Sequence, residues 1–424
     1  MKTRVAFHTA GCRTNQSETA SLKQALLQSG FELVRYPDES ADVLVVHSCT
    51  VTHRADADLR RLIRRVGRRS PETRIAVIGC YAEKNRRTLE KFPNVKWVAG
   101  NAEKWDLPGM LASAAAPGTG TAASGAFTVP FPADDPEQTR GYLKIQDGCD
   151  SYCAYCIVPF TRGAPRSRRF EDLTAGAKRL LDRGYREIVL TGINIGRYED
   201  SNRNLLDVLE ALAAFPGDFR VRLSSVEPVP LLEDVAAMME KHPRICRFLH
   251  VPLQSASPEI LKRMGRGTDL ERVKHLLVET RRRIPGICLG TDLLAGFPGE
   301  TETHFRETLD FVHAVPFCRF HVFPYSRRPG TRSARFSEFP ASAVVAKRTR
   351  RLRELGDSRY RRHLESLGGT VQKVLFEQKK NGRWTGLTDH YARVSVTSDE
   401  DLRNRFRRVR IGTLRGETVE GTLA

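Results

Sequence analysis

No run of about 18 apolar residues occurs in this 424-residue chain, so no helix is expected to span a membrane. Acidic residues are too few to balance the basic ones: 50 Asp and Glu stand against 69 Lys and Arg, a net charge of +19. That deficit points away from a basic partner and towards a polyanion, most simply nucleic acid; a generally basic surface is the plainer explanation. No long internal repeat is present, and no repeat architecture is expected. The opening Met1-Lys2-Thr3-Arg4-Val5-Ala6-Phe7 runs straight into a strand pattern, so no signal peptide is expected and a cytoplasmic protein is. The nine cysteines include close sets at metal-ligand spacing, so reduced thiols and metal binding are expected in place of disulfides.

The length suggests two or three domains, and the pattern divides the chain as 1–110, a linker over 111–137, 138–366 and 367–424. The first part alternates strand and helix: strands at 4–8, 42–47, 74–78 and 96–98, with helices at 16–29 and 53–69. This predicts a doubly wound parallel sheet. The linker is rich in Ala, Gly, Ser and Pro. Six further strands, at 142–146, 187–190, 220–224, 247–253, 287–293 and 318–323, are separated by helices. They predict a partial parallel (β/α)6 barrel. After a basic helix over 346–367, short β pieces with Gly turns predict a small β-barrel. The fold class is therefore α/β with a β-barrel tail.

The densest chemistry lies in Cys149-Asp150-Ser151-Tyr152-Cys153-Ala154-Tyr155-Cys156. Three thiolates at this spacing suit three irons of a 4Fe-4S cluster and leave the fourth iron for substrate or cofactor. A zinc site or a ferredoxin-type cluster needs a fourth protein ligand. A zinc knuckle or a cluster of core thiols is the plainer reading. A second set, Cys12, Cys49 and Cys80, is scattered in sequence, but each follows the carboxyl end of a predicted parallel strand, and such positions gather along one sheet edge. Gly11 and Gly79 precede two of them and permit tight turns. Three unrelated half-buried thiols are the alternative. Cys246, Cys288 and Cys318 have no metal spacing and read as core.

The predicted barrel strands all end in polar or Gly-rich residues, and barrel enzymes place chemistry there. Thr191, Gly192, Ser224, Glu227, Gln254 and Asp292 are the candidates for contacting a cofactor; ordinary turn chemistry explains any one of them equally well. Arginine, whose planar fork pairs with phosphate, is concentrated at Arg60, Arg61, Arg64, Arg65, Arg68 and Arg69, then at Arg162, Arg166, Arg168 and Arg169. It recurs in the helix before the tail, from Arg348 to Arg362, and in the tail from Arg403 to Arg410. RNA is the expected partner, with a solvated charged face as the alternative. Trp384 and Tyr391 are stacking platforms or barrel core.

These motifs together resemble the radical S-adenosylmethionine (SAM) methylthiotransferases. The resemblance rests on Gly11-Cys12-Arg13-Thr14-Asn15-Gln16, Cys49-Thr50-Val51, Gly79-Cys80 and the three-cysteine loop continuing Ile157-Val158-Pro159, Arg162-Gly163 and Ser167-Arg168. Val251-Pro252-Leu253-Gln254-Ser255 and Gly296-Phe297-Pro298-Gly299-Glu300 add to it, and the tail is similar to the RNA-binding TRAM domain. The resemblance implies two 4Fe-4S clusters and SAM: the cluster on Cys149, Cys153 and Cys156 would cleave SAM to a radical, and that on Cys12, Cys49 and Cys80 would carry the inserted sulfur. Carbon 2 of adenine has an unactivated C–H bond that no side-chain base deprotonates usefully, so the cofactors carry the hard step. The Gly-Cys-Arg-x-Asn-Gln run is most similar to the branch acting on threonylcarbamoyladenosine beside the tRNA anticodon. Sister branches act on isopentenyladenosine of tRNA or on a ribosomal-protein aspartate. Two departures stand out: His47-Ser48 precede Cys49 where Asn-Thr is usual, and Arg169 stands where Pro is common. Implied partners are tRNA, a flavodoxin- or ferredoxin-like electron donor and a sulfur source. A non-catalytic iron–sulfur RNA-binding redox sensor is the alternative of another class. A radical SAM enzyme that only methylates RNA has no need of the second cysteine set.

Overall fold

A computed structural model describes residues 2–113, 127, 139–228 and 230–424. The linker expected over 111–137 lies outside the described residues, apart from 111–113 and Phe127. The N-terminal strands are β1 (Arg4–Thr9), β2 (Glu32–Leu33), β3 (Val43–Ser48), β4 (Arg74–Gly79) and β5 (Val95–Ala99), in the order β2-β1-β3-β4-β5. All pairs are parallel. Helices α1 (Arg13–Gln28), α2 (His53–Arg69), α3 (Cys80–Leu89) and α4 (Leu107–Ala112) cover the two faces. Two separate apolar clusters follow, one holding Leu59, Leu62, Ile63 and Val66 of α2, the other Leu22 and Leu26 of α1. Strand β3 is buried at all six positions, as a parallel strand covered on both faces must be. Strand β2 escaped the sequence reading because two residues carry no periodicity.

The central strands are β6 (Arg140–Lys144), β7 (Glu187–Thr191), β8 (Arg220–Leu223), β9 (Phe248–His250), β10 (Cys288–Ala295) and β11 (Phe317–Pro324). They form two parallel triplets, β6-β7-β8 and β9-β10-β11, joined by the bridges Val221–Ile245 and Ser225–His250. The result is one six-stranded arc in chain order. Between its strands run α5 (Val158–Arg162), α6 (Phe170–Asp182), α7 (Leu205–Ala213), α8 (Leu231–Lys241), α9 (Pro258–Met264), α10 (Leu270–Arg283) and α11 (Glu302–Ala314). The outward strand residues Leu143, Leu190, Leu249, Leu289 and Leu293 share one core with the helices.

Helix α12 (Ser342–Glu365) leads to β12 (Val371–Lys380), β13 (Arg383–Leu387), β14 (Arg393–Thr397), β15 (Phe406–Arg415) and β16 (Thr418–Leu423), which close into a barrel. Trp384 is buried in its core, and Tyr391 is buried against Phe248 of the arc, ring centroids 4.6 Å apart. Neither is a stacking platform.

One expectation fails. Cys288 and Cys318, on neighbouring strands, form a disulfide rather than standing as separate core thiols; Cys246 is buried as expected. Sequence separation conceals that parallel strands lay these two side by side.

Candidate active site

The strand ends of the N-terminal sheet face the mouth of the arc, and a buried polar network locks the two together. Glu18 of α1 accepts from Lys104 Nζ at 2.6 Å and from Lys144 Nζ and Arg162 Nη1 of the arc, the latter at 2.9 Å. Asp147 completes the set, 2.8 Å from Lys144 and 2.9 Å from Arg162. Burial alone raises the Glu18 carboxyl, but Arg162, Lys104 and Lys144 hold it well below the usual carboxylate range. Burial lowers Lys104 to about 8. His47, lowered by burial to about 4, is neutral at pH 7; its Nδ1 lies 2.9 Å from Thr19 Oγ1 and its Nε2 3.3 Å from Glu18. The unusual His47 thus belongs to this network rather than to a metal. Arg162 and Arg168 are buried, so they belong to the scaffold and not to an RNA-facing set; Arg166 pairs with Asp147. Arg348 is likewise buried against Glu300 at 2.7 Å, and Arg359 donates to the carbonyls of Val315 and Phe317. By contrast, Arg61, Arg64, Arg65, Arg68 and Arg69 of α2 are exposed opposite its apolar face.

Cys12 caps α1, Cys49 follows β3, and Cys80 opens α3 directly after β4. Gly11 and Gly79 have φ of +103° and +94°; a Cβ on Gly11 would lie 2.7 Å from Cys49 Cβ, so the tight turns anticipated there require glycine. Burial, together with the neighbouring Cys12 and Cys80 sulfurs, pushes the Cys49 thiol up to about 11. Asn15 holds the turn through Ala10 O and Ser48 O at 2.8 and 3.2 Å and accepts from Arg162 at 2.8 Å. Asn101 bridges Cys80 Sγ (3.5 Å) to Thr161 O of α5 (2.8 Å). The three scattered cysteines are therefore brought to one edge.

The second loop is pinned by backbone bonds from Ala154 N to Met264 O and from Ser333 N to Ala154 O. Burial and the Cys153 and Cys149 sulfurs push the Cys156 thiol up to about 12. Cation binding deprotonates such a thiol. Among the described residues, neither cysteine triplet forms a group with all its sulfurs within 4.8 Å of one another.

Beside this loop, Glu227 accepts from Arg266 Nη2 at 2.5 Å; Arg266 also donates to Pro252 O at 2.7 Å and reaches Cys153 Sγ at 3.8 Å. Thr191 O accepts from Ile145 N and Gly192 O from Thr14 Oγ1, so the Thr-Gly step joins strands and domains. Ser224 Oγ and Asn194 Oδ1, at the ends of β8 and β7, are buried without a hydrogen-bond partner, which fits a polar ligand at the mouth. Gln254, with φ +72°, donates its N–H to Asp292 O, and the Asp292 carboxylate accepts from His250 Nε2 (2.9 Å) and His321 Nδ1 (3.2 Å). Asp292 is thus satisfied by imidazoles. Ser224 and Glu227 lie at the mouth; Gln254 and Asp292 lie farther along the arc.

Sequence reading missed Arg266, Asn194 as a ligand-facing group, and the Glu18 network. Arg266 sits in a Gly265-Arg266-Gly267 turn without strand-end spacing, and Glu18 sits within an ordinary helix. It also left Arg13 without a role. Arg13 Cζ lies 5.3 Å from the Tyr391 ring centroid; Tyr391 packs on Phe248, and Phe248 stacks on His250. Among the described residues no carboxylate pairs with it. The guanidinium that follows Cys12 therefore stands against Tyr391 and beside His250.

Residues 143–312 match the family model described as Radical SAM superfamily, and residues 4–100 match that described as Uncharacterized protein family UPF0004. The chain is 34% identical to "Threonylcarbamoyladenosine tRNA methylthiotransferase MtaB" of Bacillus subtilis, over 96% of this chain and 93% of that protein. It is 32% identical to the protein of the same name from Thermotoga maritima, over 99% and 96%. It is also 35% identical to "tRNA-2-methylthio-N(6)-dimethylallyladenosine synthase" of Cereibacter sphaeroides, over 95% and 94%. The radical SAM methyltransferase TsrM of Kitasatospora setae superposes with a TM-score of 0.56 at 15% identity, covering 88% of this chain and 77% of that one, a likeness of fold. No described helix is long and apolar enough to cross a membrane. With this identity sustained along both chains, and with a three-cysteine loop at the mouth of a six-stranded arc, the protein belongs to the radical SAM methylthiotransferase family, whose chemistry uses a 4Fe-4S cluster and SAM.

Proposed function

We propose that this protein inserts a methylthio group at carbon 2 of threonylcarbamoyladenosine beside the tRNA anticodon. Cys149, Cys153 and Cys156 would hold the cluster that binds SAM, and Cys12, Cys49 and Cys80 a second cluster. When bound, these groups supply the one-electron and sulfur chemistry. The protein's own contribution is position. The Glu18 network sets one cysteine edge against the other, Arg266 orients Glu227 beside Cys153, and Tyr391 of the C-terminal barrel packs against Phe248 and so joins that barrel to the arc. Ser224 and Asn194 would bind polar groups of SAM at the mouth.

One observation favours threonylcarbamoyl over isopentenyl: Arg13 stands in the arc beside Tyr391 and His250 with no carboxylate partner among the described residues, while the Asp292 carboxylate there is already paired to imidazoles. A threonylcarbamoyl group carries a carboxylate that Arg13 can bind; an isopentenyl group would leave Arg13 desolvated and unanswered. Percent identity does not separate the branches, since relatives of both names score alike. A cytoplasmic setting, a small electron-transfer protein as reductant and a sulfide source complete the proposal. The exposed arginines of α2 are the leading surface for tRNA.

The test is mass spectrometry of tRNA nucleosides after anaerobic incubation of the two-cluster protein with SAM, reductant, sulfide and threonylcarbamoyl-modified tRNA. A methylthio mass increment on that nucleoside is expected. Release of 5′-deoxyadenosine with the increment only on isopentenyl tRNA would overturn the substrate assignment. Neither product with both clusters intact would favour a non-catalytic sensor.

A further inference from the structure

The disulfide at the floor of the arc has an unexplained neighbour. Cys288 and Cys318 are packed among Phe248, Leu387 and Tyr391. His363, in the last turn of α12 and only 6% exposed, offers a ring nitrogen within 4.8 Å of both sulfurs. A chain of hydrogen bonds shows which ring nitrogen is free to be a ligand.

Thr370 Oγ1 donates its single proton to Leu367 O at 2.6 Å, so it must accept from the Gln372 amide nitrogen, 2.9 Å away. The Gln372 oxygen is then the atom facing His390 Nε2 at 3.2 Å, and that nitrogen is the donor. The two imidazoles are buried against each other, 3.3 Å apart, and two charged rings so placed would repel without solvent, so each carries one proton. His390 Nδ1 is therefore an acceptor and takes the Nε2 proton of His363 at 3.3 Å. His363 Nδ1 is left as a bare lone pair, and it has no hydrogen-bond partner. A disulfide has no proton to give it. Reduced sulfurs with a Lewis acid between them would answer it.

We propose that Cys288, Cys318 and His363 Nδ1 form a binding site for a thiophilic cation, zinc(II) or copper(I), and that the disulfide is the oxidised, cation-free form of the site. Two thiolates and an imidazole are the soft donors such cations select. His390 is the partner that fixes the tautomer and orientation of the ligating ring. Opening the site takes two electrons and two protons: a thiol reductant supplies both and becomes a disulfide, whereas a phosphine supplies the electrons and becomes its oxide, with oxygen and protons from water; the S–S bond breaks to give two thiols, and binding the cation then releases the two thiol protons. The site would tie β10 and β11 to the helix that carries the C-terminal barrel, well away from the two cluster-forming triplets in sequence. It stands independently of the substrate assigned above.

The experiment uses the full-length protein with both clusters in place, kept anaerobic under a phosphine reductant. Zinc(II) or copper(I) is added, the protein is desalted, and bound metal and iron are counted. X-ray absorption at the zinc or copper edge then reads the first shell without interference from iron. We expect one equivalent retained at unchanged iron content, with two sulfur neighbours and one nitrogen. The arm that retains metal identifies the cation. A Cys288→Ser/Cys318→Ser protein should lose that equivalent, and His390→Leu should weaken retention about 10–100-fold. Should the double variant fail to fold, His363→Phe keeps both sulfurs and should lose the nitrogen scatterer and the metal. Peptide mapping first confirms that the Cys288–Cys318 bond is open; with both thiols free, retention no greater than in the variants overturns the proposal.

Discussion

Replacing Arg13 by Ala should separate substrates that carry a carboxylate from those that do not. Arg13 has no carboxylate partner among the described residues and stands beside His250 and Tyr391, so a threonyl carboxylate would be its first ion pair. A hydrogen bond to a charged group contributes about 1.5–3 kcal/mol. At 1.36 kcal/mol per decade, the loss in kcat/KM on threonylcarbamoyl tRNA is about 10–150-fold. It should fall mainly on KM if the contact is equal in ground and transition states. Arg13→Lys keeps the charge but loses the planar fork, so it should recover only part of the loss. Because Arg13 adjoins Cys12, iron content and 5′-deoxyadenosine release without tRNA serve as controls, and both should match the unaltered protein. Equal losses on threonylcarbamoyl and isopentenyl tRNA, or a loss below about threefold on the former, would refute the carboxylate reasoning.

Cys80→Ala should halve the iron bound per chain, keep SAM cleavage and abolish the methylthio product; two intact clusters with turnover would refute its ligand role. Glu18→Gln leaves Lys104, Lys144 and Arg162 facing one another in a dry junction, and removing one member of such a set costs about 3–5 kcal/mol, visible as a lowered urea midpoint. Burial raises the Glu187 carboxyl, but Arg220 and Arg222 outweigh it and hold the pKa far below the ordinary value. Its stabilisation is therefore complete above the unfolded pKa of about 4.3 and fades as pH falls towards the folded value. The stability gap between the unaltered protein and Glu187→Gln should accordingly be largest at neutral pH and shrink on acidification; a gap that widens in acid contradicts the pairing. Changing Arg64, Arg65 and Arg68 to Ala should weaken tRNA binding and flatten its salt dependence by about 0.9 for each phosphate no longer neutralised, measured by filter binding across a salt series.

Much of the architecture is legible in the sequence because it is written in local periodicity. Strand β3 reads as a buried apolar run, α2 as an amphipathic helix with the same bounds as in the structure, and the six central strands appear within a few residues of their places. The cysteine loop is legible too, since its three sulfurs lie within eight residues of chain. The convergence of Cys12, Cys49 and Cys80 could be anticipated because a parallel sheet places successive strand ends on one edge. Other features depend on which surfaces meet, and no local rule encodes that. Glu18 and Arg162 are 144 residues apart and become partners only when two domains close on each other. Arg162, Arg168 and Arg348 look like RNA-binding arginines in a basic chain, yet burial turns them into scaffold. Cys288 and Cys318 have no spacing that signals a pair; the register of two parallel strands makes them neighbours, and a helix from outside the arc brings His363 to them. Sequence determined the elements and the chemistry each can carry. The tertiary structure decided which charges are buried, which are exposed, and what each side chain faces, because desolvation and long-range contact exist only once the chain has packed.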